Sequence, residues 1–209
     1  TRTSERNYLP DDDEVRRDLT TAPTYLRMQR GRLRVILEAI EDHLNGYRQG
    51  KHALAANKIT PHVLTIEHLM PQSWQTSWSP PSDGDEQARF RRIHQLGNLA
   101  LVTQALNSKV SNGPWSGDHG KRAWLQRHAF MASTADMLQG ERDEWTDYDI
   151  DMRTRHLIDV VLEIWPAPQG YTSHISNEKA AAPMWVDLKR LIEAGLLTPG
   201  MTLYSTVAK

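Results

Sequence analysis

The chain contains no cysteine. A disulfide framework and a thiolate-bound zinc staple are therefore excluded, and an intracellular setting is the simplest fit. Phenylalanine is scarce as well: two Phe stand against seven Trp and six Tyr, so the aromatic content leans toward rings with a polar handle, which suit half-buried or interfacial positions. No apolar run approaches the ~20 residues that span a bilayer, and residues 1–10 lack the apolar core of a secretory signal. No membrane partner is expected, and the expected location is cytoplasmic. A Gly-rich, Lys-bearing phosphate loop of the Walker type is also missing. Thr1 stands where an initiating Met would be, which reads as a processed chain or a part cut from a longer one. The formal net charge is only −1, which argues against a generic nucleic-acid coat.

What is present is a chain of 209 residues, 39% apolar and 24% charged, which is globular rather than disordered and long enough for one substantial domain with appendages. Its charge is unevenly spread. From 86 to 128 there are seven Arg/Lys (Arg89, Arg91, Arg92, Lys109, Lys121, Arg122, Arg127) against two acids (Glu86, Asp118), a local balance of +5. From 129 to 165 nine acids stand against three Arg, a balance of −6. A phosphate backbone feels charge within about a Debye length, ~8 Å at physiological salt, so the local block counts for more than the total. The basic block reads as a phosphate-facing surface or, with its acidic neighbour, as two solvated faces of opposite sign.

Periodicity predicts a mainly α-helical chain. Asp11-Asp12-Asp13-Glu14 suits a helix start, because carboxylates favour the positive end of the helix dipole. Over 26–47, Leu33, Ile36, Leu37, Ile40 and Leu44 form one apolar stripe, ended by Gly46 and Gly50. Arg27, Arg30, Arg32 and Arg34 near its start read as solvent-facing or structural rather than as DNA contacts. Residues 51–61 read as a connection, and a strand over 63–67 is closed by Pro71. Residues 73–87 read as a loop, since Pro80-Pro81-Ser82-Asp83-Gly84-Asp85 is turn chemistry without periodicity. One or two helical turns are expected at 89–96, a second strand at 98–103 entered through Gly97, and a turn at 111–114. A helix is expected over 121–138, and another over 149–165 stopped by Pro166 and Pro168. Residues 167–183 read as a linker and 184–194 as a short helix capped by Gly195.

Two segments carry candidate chemistry. The first is Leu64-Thr65-Ile66-Glu67-His68-Leu69-Met70-Pro71-Gln72; the second is Gly97-Asn98-Leu99-Ala100-Leu101-Val102, followed by Ala105-Leu106-Asn107-Ser108-Lys109. Together they supply an acid, an imidazole and a carboxamide. Hydrolysis of a phosphodiester needs a base for water, a cation on the phosphate and alignment of the parts. Histidine is largely neutral at pH 7 and can be the base, while carboxylate and amide oxygens suit Mg²⁺. Glu67 and His68 are adjacent, so on a regular strand their side chains point to opposite faces; both serve one site only where the strand twists or ends. Pro71 makes such an end plausible. Asn107 would approach from the segment after the second strand, giving two antiparallel strands and a helix around one metal. His62, His94, His119 and His128 show no zinc-like spacing.

These residues carry a resemblance. Ile66-Glu67-His68-Leu69-Met70-Pro71-Gln72, then Leu96-Gly97-Asn98-Leu99-Ala100-Leu101-Val102, then Leu106-Asn107 resembles the HNH (His-Me finger, ββα-metal) nuclease domain, and in particular the C-terminal domain of GmrSD-type modification-dependent restriction enzymes. The flanks agree: Arg32-Leu33-Arg34-Val35-Ile36-Leu37-Glu38 before the motif, and Asn112-Gly113-Pro114-Trp115, Lys121 and Trp145 through Arg155 after it. The likeness covers about residues 12–166. It implies a fold that is mainly α with a small antiparallel β-hairpin, a helical domain around a ββα-metal finger. It implies that His68 activates water, that Glu67 and Asn107 hold one Mg²⁺ or Mn²⁺ with no organic cofactor, and that Asn98, of the Gly-Asn-Leu signature, supports catalysis or ties the strands together. Arg91, Arg92, Lys109, Lys121 and Arg122 are the expected contacts to double-stranded DNA. The implied protein is a prokaryotic, cytoplasmic DNA endonuclease, the effector of an anti-phage restriction protein whose full-length form carries an N-terminal nucleotide-binding regulatory domain. The alternatives are a noncatalytic DNA-binding or docking module that keeps the fold, and a purely structural helical domain in which Glu67-His68 is incidental. One departure is the long loop from Gln72 to Ile93, with Trp74 and Trp78. The expected division is 1–60 an N-terminal helical segment, 61–166 the nuclease core, 167–183 a linker and 184–209 a partial module. That tail (from Val186-Asp187-Leu188-Lys189-Arg190 to Leu203-Tyr204) resembles the opening of a RAMA domain.

Overall fold

A computed structural model describes residues 9–46, 64–110, 112–128, 131–138 and 143–173. The expected connection at 51–61 and the RAMA-like tail at 184–209 lie outside the described residues. The elements in order are α1 (Asp12–Thr21), α2 (Thr24–Arg27), α3 (Arg30–Leu44), β1 (Leu64–His68), α4 (Glu86–Ile93), β2 (Leu99–Thr103), α5 (Gln104–Val110), α6 (Lys121–His128), α7 (Ala132–Met137) and α8 (Asp147–Ile164), with 3-10 turns at Trp74–Thr76 and Leu96–Asn98. The described residues are thus mostly helical with one two-stranded antiparallel sheet, the fold class the sequence implies.

Local chemistry accounts for the helix starts. Asp11 accepts the Glu14 backbone N–H at 2.9 Å, and the Glu14 carboxylate accepts the Asp11 N–H at 3.2 Å. Thr146 and Asp149 form the same reciprocal cap at α8. Each cap satisfies two of the N–H groups that a helix start leaves without a partner. Two expected helices are divided in the structure. Met28 adopts an extended backbone (φ −103°, ψ 145°), so the helix expected over 26–47 becomes α2 and α3. The one expected over 121–138 is divided into α6 and α7. Apolar spacing continues on either side of such a break, so composition and periodicity alone do not reveal it.

The hairpin is a wall between two apolar clusters. In its register Leu64 faces Thr103, Ile66 faces Leu101, Glu67 faces Ala100 and His68 faces Leu99. Leu64, Leu99 and Leu101, with Ile66 packed against them, join Leu33, Ile36, Leu37 and Ile40 of α3 and the apolar face of α8. Ala100 and Val102 point the other way, into Leu69, Met70, Ile93, Leu106, Leu125 and three tryptophans. Buried on both sides, β2 reads as an uninterrupted apolar run rather than an alternating one.

Gly97 is required where α8 crosses the entrance to β2. A Cβ there would lie 2.3 Å from the Ile150 carbonyl oxygen and from Thr154 Oγ1. Its N–H donates to Thr154 Oγ1 at 3.1 Å, and Arg153 Nη1 donates to the Gly97 and Leu99 carbonyls at 2.7 and 2.8 Å. The long helix α8 thereby holds the strand that faces the candidate site.

Candidate active site at the end of the first strand

The last residues of β1 present chemistry on two faces. Thr65 and Glu67 point toward α5 and α6, because side chains two apart share a face. The Asn107 amide Nδ2 donates to Thr65 Oγ1 at 3.2 Å. Lys121 Nζ, at the start of α6, donates to Glu67 Oε1 at 2.7 Å and to the His68 carbonyl oxygen at 2.6 Å. Lys121 is 1% exposed. The residue expected to contact a DNA phosphate is instead buried on the candidate metal ligand. Taking an ammonium out of water is unfavourable unless a carboxylate and hydrogen-bond acceptors replace the water, and the strand end offers both.

His68 points to the opposite face, as regular strand geometry dictates, so the structure does not place its imidazole beside the Glu67 carboxylate. Its ring lies 4.2 Å from Tyr25 and 5.3 Å from His94, each in an edge-on arrangement. His94 stacks on Tyr25 at 5.6 Å and meets Phe90 edge-on at 4.9 Å. Tyr25 is fixed over this cluster by its N–H, which donates to the His94 carbonyl at 3.0 Å, and by the Arg30 guanidinium 3.2 Å above its ring. His68 Nε2 is buried and has no hydrogen-bond partner among the described residues. Burial first, then the positive charges of His94, Lys121 and Arg30, pushes the His68 imidazole down to about 3. The ring is neutral at pH 7, the form that accepts a proton, but it is covered and weakly basic. Tyr25 and His94 had no signal in the sequence, since they reach His68 only through packing of α2 and the end of α4.

Asn98 is not positioned for catalysis. It is fully buried, and its Oδ1 accepts the Met70 N–H at 2.8 Å and the Trp145 Nε1–H at 3.2 Å. Its Nδ2 donates to the Met70 carbonyl at 2.8 Å and the Ile93 carbonyl at 2.9 Å. The amide is spent on tying the segment after β1 to the turn before β2, the structural role in the expectation, and it has no capacity left for substrate.

The expected DNA contacts separate. Arg92 reaches three acids, Asp151 at 3.2 Å, Asp83 at 3.7 Å and Asp147 at 3.9 Å, so it is engaged within the protein. Arg89 is buried against Asp147 at 2.5 Å. The acidic block that follows in sequence folds back on this part of the basic block and neutralises it. Arg122 is half-buried, while Arg91 is exposed and has no ion pair among the described residues. The Lys109 side chain lies outside the described residues.

Lys121 also tests whether these residues suit a divalent ion. It shows that the place beside Glu67 accommodates positive charge. Glu67 Oε2 and Asn107 Oδ1 have no hydrogen-bond partner among the described residues. A carboxylate and a carboxamide oxygen are hard donors, and Mg²⁺ commonly takes only one or two protein ligands and keeps its remaining waters. The donor types fit. Among the described residues no group of three or more His, Cys, Asp or Glu could hold a metal, so any site here is this sparse, water-rich kind.

A helical domain wrapped on a β-hairpin, with Glu-His at the end of one strand and Gly-Asn-Leu opening the other, defines a compact α-rich class. Over residues 9–160 the chain matches the family described as GmrSD restriction endonucleases, C-terminal domain, and it belongs to that family. It therefore carries a domain of restriction-endonuclease type. Comparisons with curated proteins and with solved structures find no match. Among the described residues no helix is long and apolar enough to cross a membrane.

Proposed function

We propose that this domain is an HNH-type, metal-dependent DNA endonuclease, the cutting part of an anti-phage restriction protein. The observation that supports it most is the pairing of hard oxygens on one face of the strand end, Glu67 and Asn107, with a neutral imidazole at the next residue, in a chain of a restriction-endonuclease family. One Mg²⁺ or Mn²⁺ held by Glu67 and Asn107 would supply positive charge to the phosphate and the leaving oxygen. His68 takes a proton from the attacking water, whose oxygen bonds to phosphorus as the P–O3′ bond breaks and the leaving O3′ oxygen takes a proton from solvent. Because Nε2 is covered, this role requires the Tyr25 ring to move aside. DNA approaches along the exposed face of α4, where Arg91 has no ion pair among the described residues and Phe90 is 56% exposed beside Gln72, Gln75 and Gln87. An Arg for phosphate, a ring for stacking and amides for base edges are what such a track needs. In the full-length protein an N-terminal nucleotide-binding domain would regulate cutting in the prokaryotic cytoplasm.

The burial of His68 and the Lys121–Glu67 pair support a second reading, a noncatalytic DNA-docking module. Supercoiled plasmid incubated with Mg²⁺ or Mn²⁺ separates the two. Nicking by the wild-type chain that disappears in His68→Ala supports the nuclease. Equal nicking by both would mark a contaminant and sink the assignment, and a mobility shift with no cutting would favour docking.

A further inference from the structure

We propose that Lys121 is a built-in cation of the candidate site: its ammonium holds the Glu67 carboxylate and must give it up before a divalent ion binds there. The proposal rests on Glu67 being a metal ligand, as read above, and adds a control on that ligand.

The geometry that carries it is compact. Lys121 is among the largest fully buried side chains of the protein, and long cationic side chains ordinarily reach for water. Here the ammonium ends on two acceptors from consecutive residues of β1, Glu67 Oε1 at 2.7 Å and the His68 carbonyl at 2.6 Å. Its delivery is fixed by the turn before α6. The Lys121 N–H donates to the Pro114 carbonyl at 2.8 Å, and the Arg122 N–H donates to the Trp115 carbonyl at 3.0 Å. At Gly120 a Cβ would lie 2.3 Å from the Ser116 carbonyl oxygen and 2.4 Å from that of Trp115, so this turn closes only around a glycine. The start of α6 is therefore locked in a position that drives a lysine onto the strand end.

A divalent ion and an ammonium on one half-buried carboxylate repel each other strongly, because the low local dielectric magnifies the like-charge interaction. They are competitors for Glu67. The lysine satisfies the carboxylate and the strand-end carbonyl and keeps the strand end in shape. The same bond lowers the affinity for metal, so loading requires Lys121 to withdraw its ammonium. Lys121 is thus a latch on the site rather than a contact to DNA.

The test measures Mn²⁺ binding without DNA, from the loss of the free-ion signal in electron paramagnetic resonance. It compares the full chain with Lys121→Met and Glu67→Gln. Lys121→Met should bind Mn²⁺ about tenfold more tightly, equivalent to about 1.4 kcal/mol, and Glu67→Gln should lose binding. A second arm uses the wild-type chain, so it does not depend on a variant folding. Acetylation of Lys121 by acetic anhydride, followed by mass spectrometry, should be slow without Mn²⁺ and several-fold faster in saturating Mn²⁺. Equal or weaker binding by a cooperatively folded Lys121→Met, or unchanged protection of Lys121 in Mn²⁺-loaded protein, overturns the latch. Should Lys121→Met unfold, the labelling arm decides. Unaltered binding by Glu67→Gln, or no binding by any form, removes the metal site and overturns the reading beneath the latch as well. Lost binding in Glu67→Gln with no gain in Lys121→Met overturns the latch alone.

Discussion

The carboxamide of Asn98 makes four hydrogen bonds, to Met70, Ile93 and Trp145, and fastens the chain on either side of the hairpin. A residue of this kind looks like chemistry in sequence because an amide can do either task; only its partners distinguish them. His68 shows the converse. Its position at the strand end was readable, but its burial under Tyr25 was not, because α2 lies far away in the chain. That burial has a consequence for pH. The folded-state His68 is pushed down to about 3 from an ordinary 6.5, and burial lowers His94 as well. The unfolded chain therefore binds more protons than the folded one below pH 6.5. The stability His68 contributes is complete above that pH and is lost as pH falls toward 3, with a slope of up to about 1.4 kcal/mol per unit, and His94 acts in the same direction. Glu41, raised by its own burial, works in the opposite direction, since its contribution is lost as pH rises. Urea denaturation at pH 7 and pH 5 should show a lower midpoint at pH 5, and His68→Gln should flatten the difference. An equal difference in both proteins would mean that His68 does not stay neutral in the fold.

At the scale of elements, α8 sets the position of β2. Gly97 lies against the Ile150–Thr154 turn with no room for a methyl group, and Arg153 reaches two carbonyls of the strand entrance. Gly97→Ala forces backbone apart on one side or the other, and overpacking of this kind typically costs 1–3 kcal/mol. The expected result is a loss of about that size in urea denaturation, with near-wild-type helical content. A variant as stable as the parent would show that α8 can shift freely. In sequence Gly97 read as the entrance to a strand, which it is, but the need for glycine comes from a helix more than fifty residues later. The breaks at Met28 and between α6 and α7 were hidden for a related reason. Apolar spacing reports which face is buried and does not register a local interruption of the helical backbone.

At the scale of the whole molecule, the two charge blocks meet instead of presenting separate faces. Arg89 and Arg92 from the basic half are held by Asp147 and Asp151 of α8. A contact to phosphate must therefore come from a cation left over, and Arg91 is one. In a His68→Ala background, Arg91→Gln should weaken DNA binding and reduce the slope of affinity against salt by roughly one. Arg92→Gln should leave binding unchanged and lower stability instead. Fluorescence anisotropy over a salt series checks both, and a loss of DNA affinity in Arg92→Gln equal to that in Arg91→Gln would refute the assignment.

What the sequence determined by itself was local and ordered along the chain: the acidic start of α1, the apolar stripe of α3, the two strands, and a Glu-His pair followed by Gly-Asn-Leu and Asn107. These rest on nearest-neighbour geometry and on the periods 2 and 3.6, which need no partner to be read. Tertiary structure alone decided which of those groups meet. It put His68 under Tyr25, spent Asn98 on backbone, turned Arg92 toward acids and buried Lys121 on Glu67. Burial and Coulomb energy depend on what surrounds a side chain in space, and for these residues the surroundings come from segments of the chain dozens of positions away.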